Sequence, residues 1–217
     1  MIKKFLSYFF CNEQKNIKRV FESVYKDING FLVSKQSAER EKHFSPEDVY
    51  GEINNAEFLN LLRRVNPKPG EVFYDLGSGV GKTVILAALS YPFEKVCGIE
   101  QIQDLSDLSK ACAQGLRSKK AAQELLGKTR IEFIQGDFFD IDFSDANIVY
   151  INATAFMDIW QELSVKLESL KPGSRVLVVG RQLLSDSFYL IESDLALMTW
   201  GKTMLHVYQR YFELKGS

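Results

Sequence analysis

After Gly70, short apolar runs alternate with stretches of helical period, which predicts an α/β protein built on a mostly parallel seven-stranded sheet with helices on both faces. Two longer alternating segments near the end predict an antiparallel C-terminal hairpin, and an apolar stripe ahead of the sheet predicts an N-terminal helical extension over residues 1–43. The chain has 217 residues, 46% of them hydrophobic, enough to bury one sizeable core and too few for two comfortable domains.

From Asn16 to Phe31 the residues Ile17, Val20, Phe21, Val24, Tyr25, Ile28 and Phe31 recur at intervals of three and four, the period of one helix with a buried stripe. Ser34 to Lys42 is polar and has no stripe. Phe44 to Glu52 mixes Pro, Gly and aromatic residues and reads as a loop, with more aromatic content than a connector needs. A second amphipathic helix carries Phe58, Leu61, Leu62 and Val65 and ends before Pro67. Strands are expected at Val72–Leu76, Lys95–Ile99, Ile131–Ile134, Ile148–Ile151 and Arg175–Val179, with helices at Lys82–Ser90, Leu105–Leu126 and Asp158–Leu170 between them. Asp194–Trp200 and Thr203–Phe212, joined at Gly201-Lys202, form the hairpin.

Composition removes several functions. Lys and Arg total 27 against 28 for Asp and Glu, so no sequence-wide cationic field exists for avid nucleic-acid binding. Lys119-Lys120 is an isolated pair that reads as a solvated helix face. The longest apolar runs, such as Val84 to Leu89, fall far short of the ~20 residues of a membrane span, so a soluble protein is expected. Lys3 and Lys4 ahead of Phe5 to Cys11 faintly imitate a signal peptide, but the apolar part is short and no cleavage site follows; the segment reads as an arm packed on the body. Cys11, Cys97 and Cys112 have no CxxC spacing and suit neither a disulfide framework nor a zinc ribbon, which places the chain in a reducing, cytoplasmic setting. His43 and His206 are the only histidines, HExxH and GxSxG are absent, and no metal site is expected.

The most informative run is Val72-Phe73-Tyr74-Asp75-Leu76-Gly77-Ser78-Gly79-Val80-Gly81-Lys82-Thr83, a buried strand entering a glycine turn and then a helix. Backbone amides there face whatever binds at the strand's carboxyl end. A phosphate-binding loop needs glycine where Leu76 stands, and a dinucleotide loop needs it where Lys82 stands. Asp75 at the strand end repels a pyrophosphate and suits a ligand with a positive centre, as S-adenosylmethionine has. A turn serving only strand-to-helix packing is the alternative. Glu100, ending the second strand, can accept from both ribose hydroxyls, the role of an acidic residue roughly 20 residues past such a loop. Gly136-Asp137-Phe138-Phe139 brings a carboxylate and a ring to the end of the third strand, where an adenine would lie.

Phe44-Ser45-Pro46-Glu47 with Val49-Tyr50-Gly51-Glu52, the Asp75-to-Gly81 loop, Asn152-Ala153-Thr154-Ala155-Phe156 and Trp200-Gly201-Lys202 together resemble the non-SET histone lysine methyltransferases of the disruptor-of-telomeric-silencing type. The resemblance runs from about Phe44 to the end. It implies a Rossmann-like class I methyltransferase domain over 44–217 that uses S-adenosyl-L-methionine and releases S-adenosyl-L-homocysteine. It further implies that Tyr50 and its loop cover the methionine end of the cofactor, and that Asp75 and Gly77 cradle the amino-acid part. Glu100 would hold the ribose, and Asp137 with Phe138 the adenine. Glu52, Gly79, Lys82 and Gln101 complete the implied cofactor set. Asn152 would sit beside the departing methyl group, with Phe44, Phe156 and Trp200 walling a lysine channel. Asp48 is an extra residue in the first motif, Lys82 replaces a common Gln, and Ala153-Thr154 replaces Asn-Phe, so the substrate side departs further than the cofactor side. The implied partner is a protein presenting a lysine to a monomeric enzyme. An RNA or small-molecule methyltransferase, or a non-catalytic cofactor-binding module, are the competing readings.

Overall fold

The computed structural model describes residues 2–41 and 50–212, with side chains from 14 to 40 and from 50 to 212. One sheet of seven strands organises them in the order β3-β2-β1-β4-β5-β7-β6. The strands are β1 (Val72–Leu76), β2 (Lys95–Glu100), β3 (Arg130–Gln135), β4 (Ile148–Asn152), β5 (Arg175–Val179), β6 (Phe188–Met198) and β7 (Gly201–Arg210). The pairs from β3 through β5 are parallel; β7 runs antiparallel to β5 and to β6. This matches the expected fold class.

Helices α1 (Ile2–Tyr25), α2 (Gly30–Glu41), α3 (Asn55–Val65), α4 (Lys82–Ser90), α5 (Gln103–Arg117) and α6 (Lys120–Leu126) precede β3, and α7 (Trp160–Lys166) lies between β4 and β5. Residues of α1, α3, α4, α5 and α6 share one buried cluster with Phe73, Val96, Ile148 and Tyr150 of the sheet. On the opposite face, α7 and the segment around Phe138 and Phe143 pack against Val72, Tyr74, Ile99 and Ile151. Right-handed crossovers require this division, because β1 to β3 step one way across the sheet while β4 and β5 step the other.

Several expected boundaries move. The single helix expected over 16–31 breaks after Tyr25, because the Asn29 side chain accepts from Leu32 N–H (3.1 Å) and starts a new helix at Gly30. That second helix, α2, takes in the stripe-less polar run; its buried face is made of Ser34 and Ser37, small polar residues that leave no apolar period. The helix expected over Leu105–Leu126 divides at Ser118, whose hydroxyl donates to the Gly115 carbonyl (2.8 Å). Asp158–Leu170 is helical only from Trp160, with a 3-10 turn at Leu167–Ser169. β6 begins at Phe188, not Asp194, and the hairpin turn is Thr199-Trp200, since Met198 pairs directly with Gly201. A bulge between Leu190 and Glu192 shifts the alternation and hides the start of the strand.

Residues 42–49, which include Phe44 and His43, lie outside the described residues, as do the side chains of the first thirteen residues. Among the described residues no helix is long and apolar enough to cross a membrane.

Phe58 of α3 is fully buried and meets the rings of Phe73 (centroids 6.1 Å) and Tyr150 (5.5 Å) edge-on, joining the helix to β1 and β4 below the carboxyl ends of the strands. Phe58→Ala is expected to lower folding stability by about 3–5 kcal/mol. Denaturant unfolding of the purified variant measures it.

Candidate functional site

β1 and β4 are neighbours whose connections leave on opposite faces, and the crevice outside their carboxyl ends is where open α/β sheets bind ligands. A cavity of about 460 Å3 lies there. β1 delivers Asp75 and the glycine loop, β2 delivers Glu100, the turn after β3 delivers Asp137 and Phe138, and β4 delivers Asn152.

The loop takes its path from hydrogen bonds to β2. Gly77 and Ser78 N–H both donate to the Ile99 carbonyl (2.9 and 3.0 Å), and Gly81 N–H donates to the Ser78 carbonyl (2.9 Å). Gly77 (φ 79°) and Gly79 (φ 55°) sit in the left-handed region that other residues disfavour. A Cβ on either would also meet an aromatic ring at 2.7 Å, Phe156 over Gly77 and Tyr50 over Gly79. From outside the loop, Tyr25 of α1 donates its hydroxyl proton to the Val80 carbonyl (2.9 Å).

Asp75 and Glu100 are both buried. Glu100 accepts from Gly79 N–H at Oε2 (2.7 Å) and from Ile102 N–H at Oε1 (2.9 Å). Burial pushes its pKa above the usual carboxylate range while those amide bonds oppose the shift. Asp75 accepts only from the Thr83 hydroxyl among the described residues. Burial raises its pKa to about 7, with the Thr83 bond opposing and the Glu100 charge adding. Two of the lining residues, Ser78 and Tyr150, carry buried hydroxyls that have no hydrogen-bond partner among the described residues; that of Ser78 lies against Gly98 of β2.

A short extended segment closes the upper side. Thr199 N–H donates to the Glu52 carbonyl (2.9 Å), Asn54 N–H donates to the Leu197 carbonyl (2.9 Å), and Ile53 bridges to Met198, so residues 52–54 run beside the tip of β6. Asn152 Nδ2 donates to the Gly51 carbonyl (3.2 Å), and its Oδ1 accepts from the Thr154 hydroxyl (2.8 Å). Glu52 accepts from the Tyr50 hydroxyl (2.6 Å) and from Lys82 Nζ (2.7 Å). Lys82 is the only Lys or Arg among the described residues that line the cavity.

Of the residues singled out in the sequence, Tyr50, Glu52, Asp75, Gly77, Gly79, Lys82, Glu100, Gln101, Asp137, Phe138, Asn152 and Phe156 all border this one cavity. Phe138 and Phe156 meet edge-on at 5.2 Å, and Phe139 N–H donates to Asp137 Oδ1 (2.8 Å), fixing the turn after β3. Trp200 does not join them. It stands 48% exposed in the hairpin turn, lies over Gly51 and lines a neighbouring hollow of about 710 Å3, which Tyr50, Glu52 and Lys82 also border. Phe44 is outside the described residues. Ser34, Ser78, Thr83 and Tyr150 line the cavity without having been singled out. Tyr150 shares its strand face with Asn152 and its register with Asp75, so strand alternation alone could have found it. Ser34 lies on the helix that had no stripe to announce it.

The model of the family described as "Histone methylation protein DOT1" matches residues 32–206. The chain is 35% identical over 148 residues to the "Histone-lysine N-methyltransferase, H3 lysine-79 specific" of Caenorhabditis elegans, covering 62% of this chain and 15% of that protein. It is 35% identical over 120 residues to a "Protein-lysine N-methyltransferase" of Saccharolobus islandicus, covering 54% of this chain and 66% of that one. Both relatives are therefore matched over less than two thirds of their own length. Among solved structures, an RNA methyltransferase from Salinibacter ruber in complex with S-adenosyl-L-homocysteine superposes with a TM-score of 0.59 at 25% identity, over 76% of this chain and 96% of that chain.

The raised pKa of Asp75 sets a pH dependence. An unfolded Asp loses its proton near pH 3.9, while the folded protein keeps it to about pH 7. Between those values the native state binds the extra proton, so stability falls as pH rises from about 4 to 7 and stays low above that. Asp75→Asn removes the Asp75 share of this slope and leaves that of Glu100, whose pKa burial also raises. The variant is expected to be more stable than the parent by about 2–4 kcal/mol at pH 8, with the gap closing toward pH 4. Unfolding curves taken across that range decide it.

Proposed function

The chain belongs to the DOT1 family of histone methylation proteins, and we propose that it is an S-adenosylmethionine-dependent N-methyltransferase acting on a lysine side-chain amine of a protein. The observation that carries this reading is the pair of buried carboxylates, Asp75 and Glu100, flanking a loop whose glycines let rings and ligand approach the backbone. A phosphorylated nucleotide would meet repulsion there, whereas a cofactor bearing an ammonium and a sulfonium is attracted. The donor set fits that cofactor in other respects. Glu100 keeps unused lone pairs for two ribose hydroxyls after accepting from Gly79 and Ile102, and the Tyr150 hydroxyl has no partner among the described residues.

In this reading Asp137 and Phe138 take the adenine, Gln101 borders the ribose, and Asp75 with Gly77 and Gly79 takes the amino-acid end under Tyr50, Glu52 and Lys82. The cofactor supplies a methyl group already activated on sulfur, so the protein's contribution is alignment and no general acid is needed. Asn152, fixed at both ends of its amide, holds Gly51 over the reacting centre and presents a rigid edge beside it. Phe156, which borders the cavity, strips water from the incoming amine, which lowers its pKa and favours the neutral, nucleophilic form. We assign residues 44–217 to the methyltransferase domain and 1–43 to an extension packed on it.

The names of the matched relatives support a protein substrate, and the near-zero net charge of -1 gives no general cationic surface for RNA. A monomer in a cytoplasmic, reducing compartment completes the proposal; the free, buried Cys97 and Cys112 are consistent with it.

Incubation with methyl-labelled S-adenosylmethionine and separated protein and RNA fractions tests the function. Label recovered as methyllysine after protein hydrolysis is expected. Label confined to RNA would replace the substrate class, and calorimetry showing no binding of the cofactor would overturn the reading altogether. In the same calorimetric assay, Glu100→Ala is expected to weaken cofactor binding by about 1.5–3 kcal/mol through loss of two buried acceptors.

A further inference from the structure

Tyr150 was not among the residues implied by the family resemblance, yet it occupies a decisive place in the cavity. It lies on β4 in register with Asp75 on β1, so both side chains project from the same face of the sheet at adjacent strands. Its ring is held from below by Phe58. Its hydroxyl is buried and has no hydrogen-bond partner among the described residues, and the residue lines the cavity. A buried hydroxyl without a partner carries its full desolvation cost with no return, and a phenylalanine of the same shape would avoid that cost. The atom is retained at the one point where the neighbouring carboxylate, Asp75, is itself satisfied only by Thr83 among the described residues.

We propose, resting on the methyltransferase reading above, that Tyr150 completes the amino-acid subsite of the cofactor, its hydroxyl oxygen accepting a hydrogen bond from the α-ammonium that Asp75 neutralises. Residue chemistry favours a tyrosine here. Burial and the Asp75 charge both push the Tyr150 pKa well above its ordinary value, so the group stays a neutral hydroxyl. It adds an acceptor without placing a third negative charge beside Asp75 and Glu100, and its own proton remains free to donate to Asp75. The subsite would then select for ligands that carry an amino-acid end over those that stop at the sulfur.

Tyr150→Phe removes a single oxygen and tests this directly. Calorimetry on the parent and the variant would use S-adenosylmethionine, S-adenosylhomocysteine and 5'-methylthioadenosine, which keeps the adenosine and sulfur but lacks the amino-acid end. The variant is expected to bind the first two roughly tenfold more weakly while binding 5'-methylthioadenosine within about twofold of the parent. Its melting temperature without ligand is expected to equal or exceed the parent's, because an unpartnered buried hydroxyl has been removed. Unchanged affinity for S-adenosylmethionine, or equal losses for all three ligands, would overturn the inference while leaving the proposed function standing. A parent protein that binds none of them would overturn both.

Discussion

Two buried carboxylates placed on neighbouring strands constrain the upper end of the sheet. Glu100 is compensated by two backbone amides, and that requirement draws the glycine loop across the end of β2 and sets where α4 begins. Asp75 has only one hydroxyl to answer it among the described residues. The imbalance leaves a buried acid that is costly to ionise until a cation arrives, so the site is built to gain from positive charge and to reject phosphate. The identity of the ligand is thereby encoded in an unmet electrostatic demand more than in any single motif.

The cover over the site is assembled from segments far apart in the sequence. The Tyr50 ring lies against Gly30 of α2 on one side and Gly79 of the loop on the other, and neither contact tolerates a side chain larger than hydrogen. Its hydroxyl leads to Glu52, which leads to Lys82 at the start of α4. Asn152 ties the same segment to β4 through Gly51. The N-terminal helices contribute the Tyr25 bond to Val80 and the Ser34 lining, so they bear on the shape of the cavity as well as on packing. Movement of α2, the glycine loop or the 50–52 segment would be felt by the others, because Tyr50 touches Gly30, Gly79 and Glu52.

The strands of the parallel core were readable from the sequence because strands covered on both faces must be apolar throughout, as Phe73, Leu76, Val96, Ile151 and Val178 are. The residues gathered around the cavity were readable for a related reason: acidic residues ending three successive apolar runs can only be brought together by a parallel sheet. The misses have local causes. Asn29 diverts a backbone that hydrophobic period alone would continue, and Ser34 and Ser37 bury a face with no apolar signal. The bulge at Leu190/Glu192 reverses the in-out phase of β6 and masks its first pairs, while Gly201, which reads as a turn residue, pairs with Met198 inside the ladder, so that the bend falls at Thr199-Trp200. Tyr150 escaped because a tyrosine inside an apolar strand looks like core, and its ring is core; only the last atom belongs to the site.

The outermost strand, β6, bears exposed Leu195 and Leu197 with Met204 beside them on β7, the composition of a surface on which chains polymerise edge to edge. Its two halves are protected by different means. Residues 52–54 occupy the hydrogen-bonding groups near Leu197 and Thr199, so cofactor-site cover and edge cover are the same piece of chain. Further along, Arg64 binds Glu192 and Asp194 and keeps a cluster of alternating charge beside the strand. Loosening the 50–54 segment would therefore expose a template for aggregation at the moment it opened the cavity, and a ligand that binds only the closed form would favour the non-aggregating state by simple mass action.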